Sequence, residues 1–165
     1  MGKKTIEMQI ADYVMKYQDS HYRLAYSIVK DPYDAQDIVQ ESITKAFSSK
    51  KSLKEPDYIK TWFYRIEVNT ALDFLRKRNK TVLSDEEMLS DQDSGECDQY
   101  TDFDLRKALE DLPVSYRSVV VLRYFEDLKI EEVAEVLNEN VNTVKTRLYK
   151  ALQKLRITMN DAKEV

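Results

Sequence analysis

The shortage of glycine and proline is the feature of this sequence that most narrows its possible folds. Only 2 glycines and 3 prolines occur in 165 residues. Tight turns between β-strands depend on such residues at fixed positions, so an all-β fold is disfavoured. The two glycines, Gly2 and Gly95, stand apart from each other. This excludes the glycine-rich loops that hold nucleotide phosphates. The sequence therefore predicts an all-α fold.

The composition excludes several classes of protein. A single cysteine (Cys97) and a single histidine (His21) rule out a disulfide framework and a Cys/His zinc site, so we expect no cofactor. No apolar run approaches the roughly 20 residues that span a bilayer, and the N-terminus lacks the apolar stretch of a secretory signal. We expect a soluble, cytoplasmic protein without direct membrane insertion. An enzyme is the poorest candidate, because nothing assembles a nucleophile, a base and an orienting group.

Charge is unevenly distributed along the chain. The net charge is −4, but residues 1–80 carry 15 basic and 11 acidic side chains. Residues 81–104 carry 9 acids and no base, and residues 105–165 carry 11 bases and 10 acids. The acidic segment also has the polar composition of a solvated linker. We predict two small helical domains, 1–80 and 105–165, joined by an acidic flexible linker at 81–104.

The first domain shows apolar residues at helical spacing, interrupted twice by proline. Lys30, Asp31 and Pro32 form a natural helix break, because proline cannot continue a helix and restricts the residue before it. Pro56 opens a further helical segment that runs from 58 to about 80. Four of the last five residues of that segment are basic, which exceeds what a helix C-terminus needs for its dipole.

The second domain contains two helical segments, 129–137 and 141–156, separated by a polar turn of the length used in helix-turn-helix motifs. On the second helix the apolar residues fall on one stripe and the polar residues on the opposite side. Residues 141–156 hold five bases and no acid. Such a face is what entry into the DNA major groove requires. From spacing alone, a solvated basic face that binds no DNA is the alternative.

Three segments, in this order, carry a family pattern. They are HYRLAYSIVKDPYDAQDIVQESITKAF (21–47), IKTWFYRIEVNTALDFLRKRNK (59–80) and LEDLPVSYRSVVVLRYFEDLKIEEVAEVLNENVNTVKTRLYKALQKLR (109–156). Together they resemble the polymerase-clamp, −10 and −35 segments of the extracytoplasmic-function (group 4) sigma factors of the sigma-70 family. Within that family these segments are similar in sequence to the sigma-V type of low-GC Gram-positive bacteria. The resemblance implies a sigma-2-like helix bundle followed by a sigma-4-like helix-turn-helix domain.

The resemblance also implies a function. An alternative sigma factor directs core RNA polymerase to specific promoters through the β′ coiled coil and the β subunit, and it performs no covalent chemistry itself. It contacts promoter DNA as a −35 duplex and as a −10 single strand. A membrane-anchored anti-sigma factor usually holds such a protein until an envelope-stress response releases it. This would place the cytoplasmic protein at the inner face of the membrane.

Candidate site residues follow from matching the family pattern. The clamp contact is matched by one helix face, formed by Asp37, Gln40 and Glu41. Holding an unstacked −10 strand needs aromatic surfaces, bases for phosphates and a polar group for a flipped base. The candidates for this task are Trp62, Arg65, Asn69, Asp73, Arg76, Lys77 and Arg78. Asn69 matches the asparagine with which the family receives the flipped base.

The −35 contact is matched on the basic helix of the second domain. The implied groove-contacting residues are Asn142, Thr143, Lys145, Thr146, Tyr149 and Lys150. Two positions depart from the family pattern. Asn142 replaces a common glycine, and we expect it either to cap the helix or to contact the DNA backbone. Glu67 replaces a small apolar residue, and we expect it either to repel phosphate or to pair with Arg65 or an inhibitor.

Two other functions stay open at this point. A stand-alone helix-turn-helix regulator would bind duplex DNA without polymerase, usually as a symmetric dimer, and would leave 62–80 unexplained. A helical adaptor that binds only proteins would leave the basic face of 141–156 without a purpose. The acidic linker also has two interpretations of equal weight, a polyanion that mimics RNA in a polymerase channel and a merely solvated tether.

Overall fold

The computed structural model describes residues 4–82 and 101–164, with side chains described from 4 to 79 and from 105 to 156. Most of the predicted linker, including Cys97, lies outside these ranges. Every regular element in the described ranges is helical, which confirms the all-α prediction. The helices are α1 Ile6–Val29, α2 Pro32–Ser48, α3 Ile59–Val82, α4 Thr101–Asp111, α5 Val114–Val120, α6 Ile130–Leu137 and α7 Val141–Glu164.

In the described ranges, three short helical turns accompany these helices. Two 3-10 turns, Lys50–Ser52 and Pro56–Tyr58, connect α2 to α3, and a π-helical turn, Val121–Phe125, continues α5. Helix α3 extends to Val82 and α4 begins at Thr101, so helix reaches into both ends of the predicted linker. Within the described ranges, no helix is both long enough and apolar enough to cross a membrane.

The boundary between α1 and α2 forms at the predicted break. Lys30 adopts the left-handed conformation (φ 60°) that commonly ends a helix, and its amide donates to the carbonyl of Tyr26. Asp31 then caps α2, because its carboxylate accepts hydrogen bonds from the amides of Tyr33 and Asp34 at 2.9 and 3.0 Å. Pro32 occupies the first helical turn, where its missing N–H is not needed. The prediction of a break at 30–32 is confirmed.

Helices α1, α2 and α3 pack together as the core of the first half. Leu24, Ile38, Phe63 and Val68 are all at most 1% exposed. Burying one such side chain fully stabilises the fold by about 1.5–3 kcal/mol. The periodic apolar residues therefore account for the association of these three helices.

Helices α6 and α7 form the predicted helix-turn-helix pair. Asn138 ends α6 with φ 58°, and the side-chain oxygen of Asn140 accepts from the amide of Thr143 at 2.8 Å, which caps α7. The cap is therefore Asn140, and the expectation that Asn142 might cap this helix is wrong because Asn142 is exposed without that bond. Val144 and Ala151 on the inner stripe are fully buried, as predicted.

The two halves share one apolar core. Helix α3 packs against α6, and α1 packs against α5. Leu24 and Val68 from the first half lie in the same buried cluster as Leu122 and Val133 from the second half. The helix-turn-helix part is therefore packed directly on the three-helix part.

A buried arginine reinforces this packing. Arg117, 5% exposed, donates to the carbonyl oxygens of Ser27 and Ile28 at the end of α1 and to that of Leu112. A cation is favourable there because helix C-termini present unpaired carbonyls and a partial negative charge. Burial lowers the pKa of Arg117 to about 10, so it stays charged at neutral pH. In the opposite direction, the Lys30 ammonium donates to the carbonyl of Glu110 near the end of α4.

Glu67 lies in the core of the first half. It is fully buried, its Oε1 lies 2.6 Å from Nδ1 of His21, and Nε2 of His21 lies 2.8 Å from the hydroxyl of Tyr13. Burial and the charge of Glu126 raise the pKa of Glu67, while burial lowers the pKa of His21 to about 3. The pair is therefore neutral overall, with the proton on the carboxyl. The expectation that Glu67 faces DNA phosphate or pairs with Arg65 is wrong, because this position of α3 faces inward.

Replacing Glu67→Gln tests this assignment. Below about pH 4.5, the Glu67 carboxyl is protonated in both the folded and the unfolded chain. Above that pH the unfolded chain releases this proton, whereas the folded chain retains it because burial raises the pKa of Glu67. Ionisation in the unfolded chain favours unfolding, so the free energy of unfolding decreases as the pH rises towards the raised pKa of Glu67. Glutamine does not ionise, so the melting temperature of Glu67→Gln should gain on that of wild type between about pH 5 and pH 9. The exposed Glu55→Gln is the control, and an equal gap at both pH values would contradict the assignment.

Candidate nucleic-acid interface

The polar residues of α7 lie on its solvent-exposed face. Because Val144 and Ala151 are buried on the inner stripe, the residues on the opposite side of this helix are exposed. Tyr149 is 65% exposed, which is unusual for a large aromatic side chain. The exposed residues of this face are Asn142, Lys145, Thr146, Tyr149 and Lys150, with Thr143 partly buried beside them. The structure therefore places all six candidates on one helix, beginning in its first turn.

A groove of about 440 Å³ runs along the start of α7. Three of its lining residues were not among the predicted contacts: Tyr116 from α5, Asn140 just before α7, and Arg147 from α7 itself. The guanidinium of Arg147 lies 3.3 Å from the carboxylate of Glu139, which holds it at the rim. Its place beside the apolar stripe was a signal in the sequence, whereas Tyr116 arrives only through packing. Cationic and amide side chains around such a groove suit a DNA backbone.

Helix α3 exposes a narrow polar strip. Arg65, Asn69, Asp73 and Arg76 are exposed at intervals of four, four and three residues, so they lie along one face. The carboxylate of Asp73 accepts from Arg76 at 2.8 Å, which orients both side chains. Asn69 stands on the same face one turn before this pair. The strip thus combines an amide with a hydrogen-bonded ion pair, and both can hydrogen-bond a base edge or a phosphate.

The last described turns of α3 are basic and exposed. Arg76, Lys77 and Arg78 all face solvent. Arg78 lies 3.3 Å from the carboxylate of Asp34 on α2, and its guanidinium sits 5.3 Å from the ring centre of Phe74. The ion pair with Asp34 holds the basic end of α3 beside the start of α2. The basic residues of the predicted −10 set therefore continue the polar strip along the same helix.

Of the three consecutive aromatic residues at the start of α3, only one reaches the surface. Phe63 and Tyr64 are 1% and 2% exposed, whereas Trp62 is half-buried and its indole N–H donates to the hydroxyl of Ser52 at 2.9 Å. Trp62, Arg65 and Tyr58 line a second groove of about 360 Å³. Tyr58 was missed in the sequence, where only its place after Pro56 hinted at a role. This groove offers aromatic surface together with the cations of Lys54 and Arg65.

The clamp candidates lie on the outer face of α2. Asp37, Gln40 and Glu41 are exposed, while the intervening Ile38 and Val39 are buried. The carboxylate of Glu41 lies 3.3 Å from the ammonium of Lys45 one turn further on. The face is therefore accessible to a protein partner. Among the described residues, no group of three or more His, Cys, Asp or Glu side chains is placed to hold a metal ion.

Comparison with protein families explains the combination of these surfaces. Residues 13–81 match the family described as Sigma-70 region 2, and residues 102–155 match Sigma-70, region 4. The chain belongs to the sigma-70 family of RNA polymerase sigma factors, in its extracytoplasmic-function group. It is therefore a transcription initiation factor that acts with core RNA polymerase on promoter DNA, and it is not an enzyme.

Curated relatives support the finer placement within the group. The chain is 48% identical over 157 residues to RNA polymerase sigma factor SigV of Bacillus subtilis (strain 168), covering 95% of both chains. It is 30% identical over 174 residues to ECF RNA polymerase sigma factor SigW of the same organism, covering 96% of this chain and 93% of that one. The sequence resemblance to the sigma-V type is confirmed.

Solved structures share the fold. The sigma factor RpoE of Bartonella quintana, solved in complex with the anti-sigma factor NepR, is similar with a TM-score of 0.75 and 21% identity, covering 91% of this chain and 96% of that one. CnrH, solved in complex with the cytosolic domain of CnrY, is similar with a TM-score of 0.65 and 21% identity. The CnrH match covers 92% of this chain and 88% of that one. The prediction of two small helical domains is confirmed at the level of fold.

Reversing one charge on α7 tests the −35 surface. The substitution Lys150→Glu should weaken binding to a duplex from the region upstream of the protein's own gene, because a phosphate or guanine contact is replaced by repulsion. The dependence of log K on log salt should become shallower by about one unit, as expected for one lost counterion-releasing contact. Lys16→Glu on α1 makes the same charge change away from α7 and should leave the slope unaltered. An unchanged slope in Lys150→Glu would place this residue off the DNA.

Proposed function

We propose that the three exposed surfaces are the working surfaces of this sigma factor. The outer face of α7 reads the −35 duplex, the strip and basic end of α3 open and hold the −10 strand, and the outer face of α2 grips the β′ coiled coil of core polymerase. The domain limits we propose are 1–80 for the sigma-2-like part and 105–165 for the sigma-4-like part. The carrying observation is the exposure of Asn69 and Asp73 on one face of α3.

Melting by this surface needs no covalent chemistry. A protein that binds the separated strand better than the duplex shifts the equilibrium towards the separated strand by that difference in affinity. Asn69 and Asp73 can hydrogen-bond an extruded base, Trp62 lines the second groove, and the cations of 76–78 attract the backbone. The strip of α3 therefore supplies binding groups suited to a single strand.

The −35 contact follows the geometry of a recognition helix. Asn140 caps α7 by accepting from the amide of Thr143, and the side chains of Asn142 and Thr143 lie together in the first turn. Lys145, Thr146, Tyr149 and Lys150 extend along the same side, where lysine can read guanine acceptors and tyrosine can pack on a thymine methyl. Two weak surfaces on one chain bind a promoter more tightly than either alone.

Regulation by an anti-sigma factor is part of the proposal. The similar structures of RpoE and CnrH contain NepR and the cytosolic domain of CnrY, and the first of these is described as an anti-sigma factor. We infer that this chain is cytoplasmic and that a membrane-anchored inhibitor holds it until an envelope-stress signal releases it. The proposed inhibitor covers the same exposed surfaces that polymerase and DNA require.

Run-off transcription tests the function directly. Purified core polymerase should produce a start-site-specific transcript from the protein's own upstream region only when this chain is added. A protein that binds that duplex unaided but supports no specific transcript from any tested promoter would be a stand-alone regulator. A protein that does not bind DNA and does not support a specific transcript would be an adaptor.

The substitution Asn69→Ala tests the melting surface. It should reduce open-complex formation on duplex promoter by about tenfold, which corresponds to about 1.4 kcal/mol of lost strand binding. On a template that is already melted around the −10 element, the reduction should be smaller because no base pairs have to be opened. Permanganate footprinting on both templates measures the difference. Equal activity of mutant and wild type on duplex would remove Asn69 from the site.

A further inference from the structure

The loop between α2 and α3 forms one wall of the groove beside Trp62. Four of its residues line that groove, namely Ser52, Leu53, Lys54 and Glu55. The regular structure of this loop consists of two short 3-10 turns, Lys50–Ser52 and Pro56–Tyr58, and such turns have poorer hydrogen-bond geometry than an α-helix. Leu53 is the one buried residue among the described residues 49–58, which we call the groove loop. The position of the groove loop therefore depends on its contacts with other elements.

The first turns of α1 pack against the groove loop. Tyr17 departs from helical geometry (φ −113°, ψ 19°) and so divides α1 into two parts. Leu24, after this kink, lies in the large buried cluster of the protein, whereas Ile10, before it, lies in a smaller cluster together with Leu53. We call residues 6–16 the N-terminal arm. The buried side chain of the groove loop is therefore held in a cluster that the N-terminal arm helps to build.

An ion pair also joins the N-terminal arm to the groove loop. The ammonium of Lys50 donates to the carboxylate of Glu7, and this hydrogen bond is the largest cause of the lowered pKa of Glu7. The two residues are 43 positions apart in the sequence, so the pair joins two separate elements. Both side chains are exposed enough that the pair adds little to the free energy of unfolding. Its effect is instead to restrain the start of the groove loop relative to α1.

The hydroxyl of Ser52 carries this restraint to Trp62. It accepts from the indole N–H at 2.9 Å and donates to the carbonyl of Ser49 at 2.8 Å. Ser52 ends the 3-10 turn that begins at Lys50. A displacement of Lys50 therefore moves the hydroxyl that orients the indole ring.

We propose that the N-terminal arm is a positioning element for the −10 contact, in which Glu7 and Lys50 hold the groove loop so that its polar groups and Trp62 discriminate between bases. This inference rests on the proposed function, because the groove beside Trp62 is part of the proposed −10 surface. A site discriminates between bases only while its donors and acceptors stay within hydrogen-bonding distance of the base edge, and a displacement of about 1 Å is enough to lose such a bond. Neither Glu7 nor Lys50 has to touch DNA in this role.

Exchanging the two charges tests the positioning role. Lys50→Glu and Glu7→Lys each place like charges against each other, whereas the double variant Glu7→Lys/Lys50→Glu restores an ion pair. Run-off transcription by the holoenzyme compares the promoter on which the wild-type protein is active with the same promoter carrying one altered −10 base. The ratio of the two transcript yields should fall by about threefold in each single variant and should return to the wild-type ratio in the double variant. A direct contact between Lys50 and phosphate would instead spare Glu7→Lys and leave the double variant impaired, which would overturn the proposal.

The fluorescence of Trp62 gives a second readout, which needs no polymerase. Trp62 is the single tryptophan of the chain, so its emission reports on this groove alone. In the free chain, the emission maximum should shift to longer wavelength in both single variants, because a less restrained ring meets more water, and should return in the double variant. Lys4→Glu is the matched control, because Lys4 pairs with Asp12 on α1, and it should alter neither readout. The melting temperatures of all variants should stay within about 3 °C of wild type.

Each outcome decides the proposal. Unaltered base discrimination or unaltered Trp62 emission in both single variants overturns the positioning role, and so does an equal loss in Lys4→Glu. If a single variant does not give a cooperative thermal melt, Ser52→Ala replaces it. That exposed substitution should lower the discrimination ratio, whereas Ser52→Thr, which retains the hydroxyl, should preserve it, and an unaltered ratio in Ser52→Ala overturns the proposal. The run-off assay of the wild-type protein stands apart, so a specific transcript alongside unaltered variants leaves the proposed function intact.

Discussion

The packing of α3 against three other helices is the constraint on which the rest of this structure depends. It contacts α1 and α2 on one side and α6 on another. So much of its surface is buried that Arg65, Asn69, Asp73 and Arg76 form the strip left to solvent along its middle. A helix packed in this way cannot bend or roll, because protein interiors are as dense as organic crystals. The side chains that we propose to meet DNA are therefore held in fixed register by the core behind them.

Helix α3 also carries buried polar groups. Glu67 lies inside α3 with its charge suppressed, and Tyr64 on α3 binds Glu126 from the second half. Burial and the charge of Glu126 both raise the pKa of Glu67, so the two carboxyl groups remain compatible only because one keeps its proton. Buried polar groups of this kind add little net stability, but they are costly when left unpaired. Their contribution here is to favour one arrangement of the two halves.

Prediction from sequence succeeded where a local rule was sufficient. The break at 30–32, the turn at 138–140 and the buried stripe of α7 each follow from helix capping or from a period of 3.6 residues, which need no distant partner. Helical spacing and charge indicated the basic face of α7, the family pattern indicated Asn69, and both are exposed. The prediction for Glu67 was wrong because the sequence alone does not show that His21 faces this carboxyl across the core. Asn142 does not cap α7, because Asn140, two residues earlier, takes that role.

The sequence by itself determined that this protein is helical, that it is a sigma factor, and which helices carry its polar faces. Those properties are set by glycine and proline content, by apolar period and by motifs, all of which act within a few turns of helix. Only the tertiary structure decided that the two halves share a core, that Arg117 caps α1 across the contact, and that Glu126 reaches Arg23. Residues 23 and 126 are about a hundred positions apart, and no local rule relates them. Their meeting results from burial of apolar surface between halves, which is proportional to area and has no sequence period.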